Sequence, residues 1–417
     1  MCNAEIRMKK GLRCRVCTGC GLCPGVLRPE VKEQKIHVLA DLPGEGQGEL
    51  PFADGTRLAV ADIGTTTIAM LLYDMEGRVE ARYVTVNPQV KYGADVISRI
   101  RAAEEPQCAG DLRDLVRKEL EKGLNRFRDI LSAGERLQLV IAANTTMIYL
   151  MMGWDTSELG RAPFHATRLG TVETTLGEVP CFVMPGMSAF VGGDITSGMY
   201  ACGMDKEEEI TLFIDLGTNG ELALGNKNKR IACATAAGPA FEGGVNRGIW
   251  GADMISLLAA LRREKLLDET GLLEEKYFES GVRAGNVLIT GSAVRSVQLA
   301  KAAIAAGIKT LLDRYGIKGE DVDRVVLAGG FGYYLNPADA AEIGLLPKTL
   351  AAKAYAGGNT ALMGALKAGR MLLKDKGDLE LQQRLKKLVE GTECINLAEE
   401  PGFNECYLSS MNLEEYE

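Results

Sequence analysis

Two stretches of the chain repeat one chemical pattern. Asp62-Ile63-Gly64-Thr65-Thr66 and Asp215-Leu216-Gly217-Thr218-Asn219 each place an acid, a glycine and hydroxyl or amide side chains at the end of an apolar run. Glycine lets backbone N–H groups approach a phosphate, and the hydroxyls add donors. The carboxylate suits Mg²⁺, a hard cation that is usually gripped by one or two carboxylates plus the phosphates of a nucleotide. One copy alone reads as an ordinary β-turn; two copies in matching contexts point to a phosphate site. A third element, Leu327-Ala328-Gly329-Gly330-Phe331-Gly332, ends an apolar strand in bare backbone where an adenine or ribose fits, or simply makes a tight strand-to-helix turn. Neither a G-x-x-x-x-G-K-[ST] P-loop nor a G-x-G-x-x-G fingerprint occurs.

A second chemistry sits at the N-terminus. Cys14, Cys17 and Cys20 are spaced as in ferredoxin-type cluster loops, and Cys23 precedes Pro24 with one residue fewer than those loops carry. Cys23, Cys2 or a thiolate of a second subunit is the candidate fourth ligand. One [4Fe–4S] cluster is the favoured reading, with structural zinc or redox-switch thiols as the alternatives. Cys108, Cys181, Cys202 and Cys233 lie in apolar segments and are expected in the core.

The elements that must position these groups come in two similar sets. Residues 1–40 form a cysteine-rich segment too poor in apolar residues to build a core, and 41–56 a Gly/Pro/acidic linker. From Arg57, RLAVADIG, TTTIAMLLY and RVEARYVTV read as three strands with short turns. Helical periodicity, the strand LQLVIAAN, a helix from Thr145, the strand VPCFVMP and a helix GDITSGMYACG follow. EITLFIDLGTNG, ELALGN and KRIACAT open a second set, followed by long helices, the strand DRVVLAGG and a helix after Asn359. The expected divisions are a first half over 57–205, a second over 206–376 and a charged helix with a polar tail over 377–417. Asp194, at the start of the helix closing the first half, is either a further Mg²⁺-site acid or a helix cap.

Composition narrows the function classes. The 417 residues are 46% hydrophobic and 25% charged, with 49 glycines, eleven cysteines and two histidines, which fits a multidomain globular protein. A net charge of −8 repels nucleic acid and anionic lipid. The first residues lack the apolar core of a signal peptide and no run is long enough to span a membrane, so cytoplasmic residence is expected.

In order and spacing, DIGTTT, IDLGTNGE and LAGGFG resemble the first phosphate, second phosphate and adenosine motifs of the sugar kinase, chaperone and actin (ASKHA) superfamily. AAGPAFEG from Ala236 and QLAKAAI from Gln298 are similar to one branch, the ATP-dependent reductive activators of corrinoid proteins. The resemblance implies an α/β fold of two RNase H-like halves around a nucleotide cleft, with a small iron–sulfur segment at the N-terminus. It implies an ATPase that drives a low-potential electron onto a Co(II) corrinoid protein and restores Co(I). The implied partners are that corrinoid protein or corrinoid-dependent methyltransferase and a low-potential electron donor; a homodimer is the expected assembly.

By motif, Asp62 and Asp215 hold Mg²⁺ and orient water. Gly64, Thr65, Thr66, Gly217, Thr218 and Asn219 cradle phosphates, and Gly238, Glu242, Gly329, Gly330 and Asn359 border the adenosine. Family members typically carry a larger ferredoxin module than the roughly fifty residues here, which leaves cluster type open. Three rivals stand: an activator of 2-hydroxyacyl-CoA dehydratase or benzoyl-CoA reductase, a small-metabolite kinase, and a zinc-capped nucleotide-switched regulator. The first of them places a cluster cysteine where Thr235 stands in this chain.

Overall fold

The computed structural model describes residues 55–217, 220–237, 251–284, 287–374 and 376–416. Cys2, Cys14, Cys17, Cys20, Cys23, Thr218, Asn219, Gly238 and Glu242 lie outside the described residues.

The first set of elements is β1 (Thr56–Ile63), β2 (Thr67–Tyr73), β3 (Val79–Val86), α1 (Val96–Ala102), α2 (Pro106–Arg128), β4 (Arg136–Ala143), α3 (Thr145–Met152), β5 (Val172–Leu176), β6 (Val179–Val183) and α4 (Gly193–Ala201). The second opens with β7 (Thr211–Leu216), β8 (Gly220–Gly225), β9 (Arg230–Thr235), α5 (Gly251–Arg263), β10 (Val282–Ala284), β11 (Val287–Ile289) and α6 (Gly291–Tyr315). It continues through β12 (Arg324–Ala328), α7 (Gly329–Tyr334), α8 (Pro337–Glu342), α9 (Lys348–Ala351), β13 (Ala354–Gly358) and α10 (Thr360–Leu372). The chain then forms α11 (Gly377–Glu390), β14 (Thr392–Cys394) and α12 (Phe403–Ser409).

Two six-stranded sheets result, ordered β3-β2-β1-β4-β6-β5 and β13-β12-β7-β8-β9-β14. Each is built on a three-strand antiparallel meander, β1-β2-β3 or β7-β8-β9, whose first strand pairs in parallel with a later one, β4 or β12. The meanders arise from short turns between β-branched and apolar runs, as at Gly77, whose φ of +78° and amide bond to the Asp74 carbonyl close the β2–β3 turn. The parallel pairings need the long crossovers that α2 and α6 supply.

Strand alternation decides what each side chain faces. Along β1, Ala59, Ala61 and Ile63 join the outer core under α2 and α3, whereas Leu58 and Val60 join an inner core shared by both sheets. Asp62 continues that inner parity. Along β7, Leu212, Ile214 and Leu216 pack outward, Phe213 packs into the same inner core, and Asp215 shares the parity of Phe213. Helices α4 and α10 fill this inner layer: Ile195, Met199, Leu362 and Leu366 belong to it. The two helices approach at backbone distance, since a Cβ on Gly364 of α10 would run into the Ser197 carbonyl oxygen of α4, and α10 lies close on β1, where a Cβ on Gly369 would meet the Leu58 side chain at 2.5 Å.

Three features depart from the sequence reading. The expected polar tail instead adds β14 to the second sheet, paired with β9, and buries Leu413 beneath α6. Buried Lys301 of α6 donates to the backbone carbonyls of Gly344 and Asn412, and Gln298 donates to that of Met411, so α6 grips the tail through polar groups that no apolar periodicity reveals. Cys181 and Cys233 are buried as expected, but Cys108, in the first turn of α2, and Cys202, just past the end of α4, are only partly so. Among the described residues no helix is long and apolar enough to cross a membrane.

Candidate functional site

The inner layer brings four polar side chains from four elements to one place. Asp62 stands near the end of β1, Asp215 near the end of β7, Asp194 in the first turn of α4, and Asn359 immediately before α10. Asn359 caps α10 by accepting from the Leu362 amide at 2.8 Å, while its Nδ2 donates to Asp62 Oδ2 at 2.9 Å. This places Asn359 against the first-half carboxylate. Asp194 is not the helix cap: Gly192 is, and the Asp194 carboxylate accepts from the Ile195 amide at 2.8 Å.

All three acids are raised by burial, and Asp194 and Asp215 also by the charge of their neighbours. Burial pushes Asp62 up to about 6, opposed by the Asn359 hydrogen bond. Burial, with the Asp62 charge adding to it, raises Asp194 to about 7 against the pull of the Ile195 amide. Asp215 is raised furthest, to about 8, by burial and then by the charges of Asp194 and Asp62, and no basic side chain among the described residues offsets them. A cluster in this state is starved of positive charge. Among the described residues no three His, Cys, Asp or Glu side chains lie close enough to hold a metal ion together.

Bare backbone surrounds the acids. Gly329 takes φ +78°, and a Cβ there would meet Asp215 Oδ1 at 2.5 Å and the Leu216 carbonyl oxygen at 2.6 Å, so only glycine lets this turn lie against the carboxylate. Among the described residues a Cβ on Gly217 or Gly330 would meet nothing within 4 Å. Carboxylates from both halves beside glycine turns, as at Gly329 against Asp215, fit a magnesium nucleotide.

The first-half turn, Gly64 to Thr66, is held from behind. Asn87 Nδ2 donates to the Gly64 carbonyl at 2.9 Å, and its backbone amide donates to the Thr66 carbonyl at 2.8 Å. Asn144 Nδ2 donates to Thr65 Oγ1 at 3.2 Å while its Oδ1 caps α3 through the Met147 amide at 2.9 Å. Arg99 Nη2 donates to the Thr65 carbonyl at 2.6 Å. The motif reading missed these three supports. Asn144 carried a visible signal, an asparagine directly before a helical run; Asn87 and Arg99 carried none.

Two sheets with a repeated meander, acidic strand ends facing one shared helical layer and glycine turns beside them define a protein of ASKHA type. The chain belongs to the RACo family: the sequence model of the RACo middle region matches residues 58–207, and that of the C-terminal domain of RACo, the ASKHA domain, matches 209–247 and 245–417. Corrinoid activation enzyme RamQ of Eubacterium limosum is 30% identical over 83% of this chain and 68% of its own length. The [Co(II) methylated amine-specific corrinoid protein] reductase of Methanosarcina barkeri is 23% identical over 84% of this chain and 76% of its own. The solved structure of a reductive activator for corrinoid, iron–sulfur protein superposes with a TM-score of 0.73 at 31% identity, covering 87% of this chain and 67% of that one. These relatives are enzymes that act on corrinoid proteins.

Proposed function

We propose that this chain is an ATPase that couples hydrolysis to reduction of a Co(II) corrinoid protein, returning cobalt to Co(I) for methyl transfer. The observation that carries the reading is the convergence of Asp62, Asp194 and Asp215, drawn from both halves to one inner layer, where burial raises all three and Asp215 is raised further by the charges of the other two. The corrinoid partner rests on the relatives above.

In this reading Gly64, Thr65, Thr66 and Gly217 cradle the phosphates through backbone N–H and hydroxyl donors, joined by Thr218 and Asn219, which lie outside the described residues. Gly329 and Gly330 border the adenosine, with Gly238 and Glu242, also outside them. Asp62, kept more acidic than its neighbours by Asn359, is the principal holder of Mg²⁺, with Asp215 across from it. The ion supplies charge neutralisation of the β- and γ-phosphates. Asp215 orients the attacking water and receives its proton as the water oxygen bonds to the γ-phosphorus and the bond to the ADP oxygen breaks. Cys14, Cys17, Cys20 and Cys23 are the residues that would hold a [4Fe–4S] cluster, which when bound would supply one-electron redox chemistry between a low-potential donor and the corrinoid.

The dehydratase-activator alternative is disfavoured at Thr235, whose buried Oγ1 donates to the Gly220 carbonyl at 2.9 Å and closes the β8–β9 pairing. The deciding experiment is the visible spectrum of a Co(II) corrinoid protein mixed with this protein, a low-potential reductant and ATP. Co(I) absorbance that requires ATP is expected. Cobalt that stays Co(II), or that is reduced equally well without ATP, overturns the reading.

A further inference from the structure

Arg99 of α1 is completely buried and forms no ion pair among the described residues. Its donors end on neutral acceptors: Nε on the Gly93 carbonyl at 3.0 Å, Nη1 on Gln89 Oε1 at 3.4 Å and Met147 Sδ at 3.5 Å, and Nη2 on the Thr65 carbonyl at 2.6 Å. Gln89 is itself fixed by donating to the Leu112 carbonyl at 2.8 Å, so the guanidinium has one aim. The acid whose charge reaches it, Asp95, is occupied in capping α1 through the Ser98 amide and hydroxyl, both at 2.8 Å. Burial lowers its pKa only to about 10, so the side chain stays charged at neutral pH.

Seating a full cation on neutral acceptors is costly, and hydrogen bonds to carbonyls satisfy the donors without cancelling the charge. That charge, offset only in part by Asp95, stands against the Thr65 carbonyl in the turn that follows Asp62.

We propose that Arg99 is the built-in positive charge of the first phosphate turn, a positioning residue that holds the Thr65 carbonyl and favours ligands in proportion to the negative charge they place against Gly64 to Thr66. The inference rests on the nucleotide reading above and deepens it. The ligand class is a polyphosphate, and the discrimination is between phosphate-rich and phosphate-free forms of one nucleoside.

The test uses the full chain with Mg²⁺ and titrates adenosine, ADP and ATP into wild type, Arg99→Lys and Arg99→Gln. The proposal expects Arg99→Gln to weaken ATP about 30-fold, ADP less, and adenosine less than about 2-fold. Arg99→Lys, which keeps the charge and loses the fork, is expected to keep most of the preference for ATP over adenosine. Equal loss for all three ligands in Arg99→Gln means a merely structural arginine and overturns the proposal. Should Arg99→Gln fail to fold in a thermal melt, Arg99→Lys decides: a retained ATP preference supports the proposal, and a preference lost with adenosine binding intact overturns it. Wild type that binds none of the three overturns the nucleotide reading itself, and this inference with it.

Discussion

The side-chain amide of Asn359 donates to the Asp62 carboxylate at 2.9 Å, joining the cap of the helix that closes the second half to the acid that ends the first strand of the first half. The same asparagine is needed for two tasks at once, stabilising α10 and keeping Asp62 more acidic than burial alone allows. Replacing it with alanine removes both, at a cost of about 1 kcal/mol for the cap. Asn359→Ser retains the cap and gives up the reach to Asp62. It is expected to melt within about 0.5 kcal/mol of wild type yet hydrolyse ATP roughly 10-fold more slowly. Denaturant melts and a phosphate-release assay on the two variants separate the roles.

Asp215→Asn is expected to abolish ATP hydrolysis while making the nucleotide-free protein more stable. The variant removes the most strongly perturbed acid of the cluster, whose ionised form, disfavoured by burial and by the charges of Asp194 and Asp62, is populated as pH rises past about 8. A rise of about 2–4 °C in melting temperature without Mg²⁺, together with turnover at background, is the expected pair of results. Near-normal turnover removes Asp215 from its assigned role.

All three carboxyls are raised from the ordinary aspartate value of 3.8 to about 6, 7 and 8. The folded protein therefore holds protons that the unfolded chain has released above pH 4. Their contribution to stability is fully present below about pH 4 and is lost as pH rises through about 6 to 8. Mg²⁺ competes with those protons, so the affinity for magnesium nucleotide is expected to rise between pH 6 and pH 8, with protons released on binding. Calorimetry in two buffers of different ionisation enthalpy measures both; an affinity that falls with pH contradicts the assignment.

Gly329→Ala forces a Cβ onto Asp215 Oδ1 and the Leu216 carbonyl at a φ that alanine rarely adopts. A loss of about 1–3 kcal/mol and of nucleotide binding is expected, measured by thermal melt and titration. Gly330→Ala, whose added Cβ meets nothing within 4 Å among the described residues, is expected to fold normally and to weaken adenosine binding by the bulk it adds where the nucleoside is proposed to lie.

Cys17→Ser is expected to lower iron and sulfide content and stop cobalt reduction while ATP hydrolysis persists. Loss of both activities together means that the cysteine run is structural. A wild-type protein purified without oxygen that carries zinc and no iron removes the cluster.

Much of the frame is legible in the amino-acid order. The repeated Asp-x-Gly-Thr turns, each at the end of an apolar strand, imply two similar halves, and the turn residues mark both meanders. The β5–β6 pairing and β14 are less visible, because short edge strands carry little alternation and draw their stability from a neighbour. Asp194 can be named as a candidate but not distinguished from a cap by sequence, since that depends on which residue has helical dihedrals.

What the sequence by itself determined is the inventory and parity of the site. Period-two alternation along β1 and β7 sets Asp62 and Asp215 opposite to Ile63 and Leu216, whichever way the sheets pack. Only the tertiary structure decided that both faces enclose the same helical layer, that Asn359 reaches Asp62, and that Arg99 backs Thr65. Local backbone preference governs which face a side chain takes. Contacts between residues far apart in the chain follow from how the layers bury their apolar faces, and no local pattern encodes them.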